Sequence, residues 1–154
     1  MTMQNLEALV TDDGELDSEA TSYKDLIETV ISSLAQGDSA MVNHAQDGHL
    51  WKFQYGSVEV FVQLTGETEE DLLTVWSPVL QLPAKNELEL MKKLMGMNWS
   101  GTFETCFGIF GDSIVVSSQR AIADLSATEI SRTITLAATI ADDNDDALQA
   151  EFGQ

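Results

Sequence analysis

His44 and His49 are the only histidines of a 154-residue chain. If Asp47-Gly48 closes a two-residue hairpin, His44 opposes Trp51 and His49 opposes Gln46, so the imidazoles become diagonal neighbours. Two imidazoles can grip a transition metal, but a zinc site takes three or four protein ligands and the spacing offers no third. Two partly exposed histidines at a sheet margin are the simpler expectation, and no metal ligand is assigned. Cys106 is the one thiol. A nucleophilic cysteine needs a neighbouring base that lowers its pKa, whereas its expected neighbours are Glu104, Gly108 and Ser117. A small packing residue is expected there, with a dimer contact as the alternative. The run Asp142-Asp143-Asn144-Asp145-Asp146 invites calcium. An EF-hand loop from Asp142 needs Gly at 147 and Glu at 153, where Ala147 and Gly153 stand, and one from Asp13 puts Lys24 in the bidentate place. A solvated helix face is the better expectation. Gly108 and Gly111 fall in and beside a hairpin rather than before a helix, and no nucleophile elbow occurs. No catalytic residue and no cofactor is assigned, and the chain reads as non-enzymatic.

Charge narrows the classes further. With 26 acids against 7 bases the formal charge is 7 − 26 = −19. Phosphate contacts require clustered Lys and Arg, so neither nucleic acid nor an anionic membrane is an expected partner. Six acids and no base lie in residues 1–20, and five acids and no base in residues 142–154. Residues 1–20 are expected to form a flexible, solubilising segment, in which Leu6, Leu9 and Val10 supply at most one amphipathic turn. Residues 21–154 are expected to form a single domain, a length that can build its own core. One cysteine excludes an intramolecular disulfide and suits a reducing, cytoplasmic compartment. No apolar run reaches the roughly 20 residues of a membrane span, and no signal pattern opens the chain.

The elements that position these residues are legible in spacing. Ser22 with Asp25 makes a capping box ahead of Tyr23, Leu26, Ile27, Val30 and Leu34, and Gly37 supplies the stop. A two-residue Tyr55-Gly56 loop would pair Phe53 with Val58, Lys52 with Glu59, Trp51 with Val60 and Leu50 with Phe61. One face then reads Trp51, Phe53, Val58, Val60, Val62 and Leu64. A strand is expected over about Asp71–Leu82, with its buried face left open. Pro78 places that strand at an edge or breaks it. Asn86 and Glu89 cap a second helix through Leu90, Leu94 and Met97, ending near Gly96–Asn98. A Gly111-Asp112 loop pairs Phe110 with Ser113, Ile109 with Ile114, and Phe107 with Val116, and would continue to Thr105 with Ser118 and Phe103 with Arg120. Glu104, Cys106, Gly108, Val115, Ser117 and Gln119 take the opposite face. Ser126 and Glu129 cap a third helix with the stripe Ile130, Ile134, Ala137 and Ala141, extended by Leu148 and Phe152.

Helix, three or four strands, helix, two strands, helix is the resulting order. Tight hairpins force antiparallel pairing, so the expected class is α+β: an antiparallel sheet of about five strands with helices on one face, α-β-β-β-α-β-β-α. The stretch Leu90–Gln119, LMKKLMGMNWSGTFETCFGIFGDSIVVSSQ, resembles the centre of the YbjN-like family, whose fold is similar to type III secretion chaperones. The tail DLSATEISRTITLAATIADDNDDALQAEFG resembles that family's last helix, and the likeness runs from about Ser22 to Gly153. It implies a chaperone-like fold, a homodimer, and a protein partner or a sensory and stress-regulatory role. It carries no residue-specific chemistry.

The sheet face away from the helices is the candidate partner surface, with Leu50, Lys52, Glu59, Phe61 and Val115 as its expected residues. Mixed apolar and polar surfaces of this kind suit a polypeptide, and the acidity favours basic clients. An ordinary half-wet antiparallel sheet is the plain alternative. Met91, Met95 and Met97 add adaptable apolar surface on the second helix, more often core or dimer seam than client grip. The second functional expectation is a regulator that binds a small molecule or a metal ion.

Overall fold

The structure, a computed structural model, describes residues 22–37, 40–44 and 48–154. The acidic segment 1–20 and the Asp47 of the expected first hairpin loop lie outside these residues. Ser22 caps the first helix, α1 (Tyr23–Leu34), by accepting the Asp25 N–H at 3.1 Å. Four strands follow: β1 (Ala40–His44), β2 (His49–Tyr55), β3 (Val58–Leu64) and β4 (Leu72–Gln81). Helix α2 (Glu87–Ser100), strands β5 (Cys106–Phe110) and β6 (Ser113–Ala121), and helix α3 (Ala127–Phe152) complete the chain. All strand pairs are antiparallel, in the order β1-β2-β3-β4-β6-β5. The class is α+β as expected. The sheet has six strands, the larger of the two expected counts, because Ala40–His44 forms the fourth strand before the second helix and pairs with β2 at the edge.

Strand alternation sorts the side chains. Trp51 and Phe53, then Val58, Val60, Val62 and Leu64, then Leu73, Val75 and Val79, then Ile114 and Val116, all point into one core. The helices close it. The α3 stripe Ile130, Ile134, Ala137, Ala141, Leu148 and Phe152 is buried throughout, joined by Ile27 and Ile31 of α1 and Leu90 and Leu94 of α2. The acidic stretch therefore lies inside a continuous 26-residue helix. The Tyr23 hydroxyl donates to the Ile122 carbonyl at 2.9 Å and ties α1 to the segment before α3. No helix among the described residues is long and apolar enough to cross a membrane.

Two expectations need correction. The β2–β3 loop is Gly56-Ser57, not Tyr55-Gly56, so Tyr55 pairs with Val58, Lys52 with Phe61, and Trp51 with Val62. Gly56 has φ +55°, the left-handed region where glycine is least strained. The loop is also held from outside: Gln36 Oε1 accepts the Gly56 N–H at 3.0 Å, and Asp142 Oδ1 accepts the Ser57 N–H at 2.9 Å. The slip is two residues along the strand, so every side chain keeps its face. Pro78 does not mark an edge, since β4 lies between β3 and β6. The strand is broken there instead, with a bulge between Pro78 and Leu80 on the β6 side. On the β3 side the ladder runs from Leu73 to Trp76, and the Ser77 hydroxyl donates to the Glu59 carbonyl at 2.6 Å.

Candidate partner-binding surface

Strand alternation also builds the opposite, uncovered face of the sheet. Across β2 to β5 the outward positions include Leu50, Lys52 and Gln54; Glu59, Phe61 and Gln63; Thr74 and Trp76; Val115, Ser117 and Gln119; and Cys106, Gly108 and Phe110. Phe61 pairs directly with Trp76 on the next strand, and their rings stack at 5.3 Å and 10°. Phe110 reaches over β6 to stack on the other side of Trp76, at 5.5 Å and 6°. That reach needs small neighbours, and Gly108, Val115 and Ser117 supply them. A row of three stacked rings thus crosses four strands. Trp76, Phe110, Gly108 and Val115 line a concavity of about 370 Å³, rimmed by Gln63, Thr74 and Gln119. The Gln119 amide donates to the Thr74 hydroxyl at 3.0 Å.

The five expected surface residues share this face but not one exposure. Lys52 and Glu59 form an exposed ion pair at 3.2 Å as diagonal rather than directly opposed neighbours. Leu50 and Phe61 are half-buried. Val115 is only 4% exposed and is floor rather than contact. Sequence reasoning missed Trp76 because the face of Asp71–Leu82 was open. It missed Phe110 by grouping it with the inward Phe107, although Phe110 lies three residues on and thus on the other face. The pairing of Lys52 with Glu59 across a hairpin was the usable signal for the rest.

The other candidates separate. His44 and His49 are directly opposed on β1 and β2, rather than diagonal. The His49 ring lies 5.4 Å from that of Trp51. Among the described residues no three His, Cys, Asp or Glu side chains are grouped as a metal site. Cys106 is exposed, not packed, with its Sγ 3.8 Å from the Ser117 hydroxyl. Glu104 is not its electrostatic neighbour: it takes a bidentate grip from Arg132 of α3 at 2.9–3.0 Å. That hydrogen bonding holds the Glu104 carboxyl below its ordinary pKa. The pairings expected beyond β5, Thr105 with Ser118 and Phe103 with Arg120, do not form, because the strand begins at Cys106.

The acidic run is not merely a solvated face. Asp145 is 3% exposed and accepts the Ser57 hydroxyl at 2.8 and 2.9 Å, while Asp142 takes the Ser57 N–H. Two carboxylates one turn apart on α3 therefore clamp the β2–β3 turn. A further depression, about 610 Å³ along the exposed side of α3 from Ala127 to Thr139, carries one charged group, Arg132, which is engaged by Glu104. It presents no convergent polar groups for chemistry.

A family model described as "Putative bacterial sensory transduction regulator", YbjN, matches residues 23–150. No curated protein matches. Among solved structures, a chain in the crystal structure of the ExsC–ExsE complex is similar, with 16% identity and a TM-score of 0.52. The likeness covers 80% of this chain and 90% of that one, and at this identity it speaks to the fold alone. The family match spans the whole helix–sheet–helix unit from α1 to near the end of α3, and on that ground the chain belongs to the YbjN family.

Proposed function

We propose that this protein is a non-enzymatic binding module that presents the outer sheet face to a polypeptide partner. The stacked row Phe61–Trp76–Phe110 carries the reading. Aromatic side chains dominate binding energetics where they are pre-ordered, since little rotamer entropy remains to be lost. Neighbour stacking pre-orders all three. Lys52 and Glu59 are the only charges on the outward positions named above, so the contact itself is apolar and amide-rich in a chain of −19. The surrounding acidity then acts at longer range, favouring partners with basic flanks. The similar solved chain sits in a complex of two proteins, which fits such a role. Cytoplasmic action suits the single, exposed thiol.

Capture by a tagged copy from its own cell lysate at moderate salt, compared between wild type and Phe61→Glu, tests this. A partner near stoichiometric amounts, lost with the folded variant, is the expected result. Equal capture by both would overturn the surface assignment.

A second reading follows from the concavity beside Trp76 and Phe110, whose volume falls in the range of small-molecule pockets. In that reading the protein is a sensor of a small organic ligand, as the family description suggests. A thermal-shift ligand screen separates the two, because only a sensor gives a ligand-dependent rise that Trp76→Ala removes.

A further inference from the structure

We infer that the acidic N-terminal segment, residues 1–20, docks in cis on the exposed side of helix α2 and covers its apolar stripe, away from the outer sheet face. Leu88, Met95 and Trp99 are 68%, 69% and 90% exposed. Lys92 stands among them, also exposed, and the spacings of four, three and four put all four residues on one side of the helix. A Trp left almost wholly in water on a regular helix is an unpartnered apolar surface. Phe103, just past the helix and 76% exposed, prolongs it. Gly96 lies beside the stripe, in a helix interior where glycine is less stable than alanine. A Cβ there would meet nothing within 4 Å, so packing within the described residues does not require the missing side chain. Bare backbone at that point admits the close approach of another segment.

Charge and reach identify the occupant. Of the seven bases, Lys24, Lys52, Lys93, Arg120 and Arg132 are ion-paired. Lys92 on the stripe and Lys85 just ahead of the helix hold no ion pair among the described residues, so the uncompensated positive charge of this −19 chain gathers here. Residues 1–20 offer the complement: Leu6, Leu9 and Val10 at helical spacing beside Glu7, then Asp12, Asp13, Glu15, Asp17 and Glu19, and no base. Elsewhere the net acidity of the molecule repels such a segment. Its point of attachment is close to the stripe. Tyr23 is tied to the Ile122 carbonyl just ahead of α3, and Arg132 in the second turn of α3 holds Glu104, the neighbour of Phe103. The entry to α1 and the Phe103 end of the stripe therefore meet the same end of α3. From Val10 to Ser22 is 22 − 10 = 12 steps, which extend to roughly 40 Å, about the full width of a domain this size. A tether of that kind gives the segment a local concentration on the order of millimolar, which a second copy, repelled as a whole, does not match.

Zero-length carbodiimide crosslinking of the full chain, read by peptide mass spectrometry on a mixture of isotope-labelled and unlabelled copies, tests the docking. The expected result is links from Lys92 and Lys85 to carboxylates of residues 1–20, formed within single chains. Lys93 and Glu151, already 3.2 Å apart, supply the internal control. Leu6→Ser combined with Leu9→Ser changes no charge and should lose the Lys92 links, while the Lys93–Glu151 link and the circular dichroism spectrum stay as they are. Acrylamide should quench Trp99 more strongly in that variant than in wild type, each read as the difference from its own Trp99→Phe counterpart. Equal quenching, or Lys92 links that are missing in wild type or persist in the double variant, would overturn the docking. Links that join labelled to unlabelled chains would overturn it in favour of a second copy. Phe61→Glu should keep the Lys92 links whether or not it loses capture, so the fate of this inference is read separately from that of the sheet face.

Discussion

Ser57 is a small turn residue whose backbone and side chain both answer to α3. Its N–H goes to Asp142 and its hydroxyl to the buried Asp145. Removing the hydroxyl strands a carboxylate that is shut off from water, which costs about 1–3 kcal/mol. Ser57→Ala should therefore lower the urea midpoint by that equivalent. Gly56→Ala should be worse than its exposure suggests, because a Cβ would overlap the Asp142 carboxylate and the site needs positive φ. Asp71 makes a second anchor. It accepts the Thr68 hydroxyl and N–H and the Thr65 hydroxyl at 2.7–2.9 Å, and the Thr68 contacts foremost hold its pKa below the ordinary 3.8. A carboxylate with a depressed folded pKa adds stability that is complete above its unfolded value and is lost as pH falls through the folded one. Below about pH 3.8 the Thr65–Asp71 loop should loosen, seen as faster exchange of the Thr68 amide, and Asp71→Asn should abolish that pH dependence.

At the scale of elements, local signals and tertiary contacts divide the work. Ser22 with Asp25 and Ser126 with Glu129 cap helices through hydrogen bonds three residues apart, so the first and third helices were readable from spacing alone. The Gly111-Asp112 loop was equally local. The β2–β3 turn was not: Gln36, Asp142 and Asp145 choose its register, and they lie 20 to 88 residues away. Pro78 misled for a related reason, because a hydroxyl on Ser77 takes up a carbonyl of β3 beside the broken ladder. The Asn86 position was right but its mechanism was not. Asn86 sits at φ 50° with no side-chain cap, and Glu87 instead accepts the Ala84 N–H at 2.9 Å. Asn98 is the element-scale device with the clearest consequence, because its side chain on α2 accepts the Phe107 N–H at 2.7 Å and donates to the Phe107 carbonyl at 3.3 Å, covering backbone groups of the edge strand β5. Asn98→Ala should unmask the Phe107 amide, raising its hydrogen-exchange rate while the amides of β3 and β4 stay protected.

Across the whole molecule the charge is distributed against the working surfaces. Acids crowd the ends of the sequence, while the outer sheet face carries one ion pair and a row of rings. The side of the sheet away from the helices was readable as a surface from alternation. The row itself was not, because it joins residues 61, 76 and 110 through the strand order β3-β4-β6-β5, which no hairpin rule supplies. A long-range acidic field and a neutral contact predict a particular salt response: added salt should slow association and leave dissociation nearly unchanged. Stopped-flow traces of the captured partner at two ionic strengths check this.

The dissociation constant of that purified partner, for wild type against Phe110→Ala, tests the aromatic row most directly. Phe110 is exposed, so its truncation should leave the fold intact while removing one of three stacked rings. The account predicts at least tenfold weaker binding, about 1.4 kcal/mol. An unchanged constant in a folded Phe110→Ala variant would contradict it.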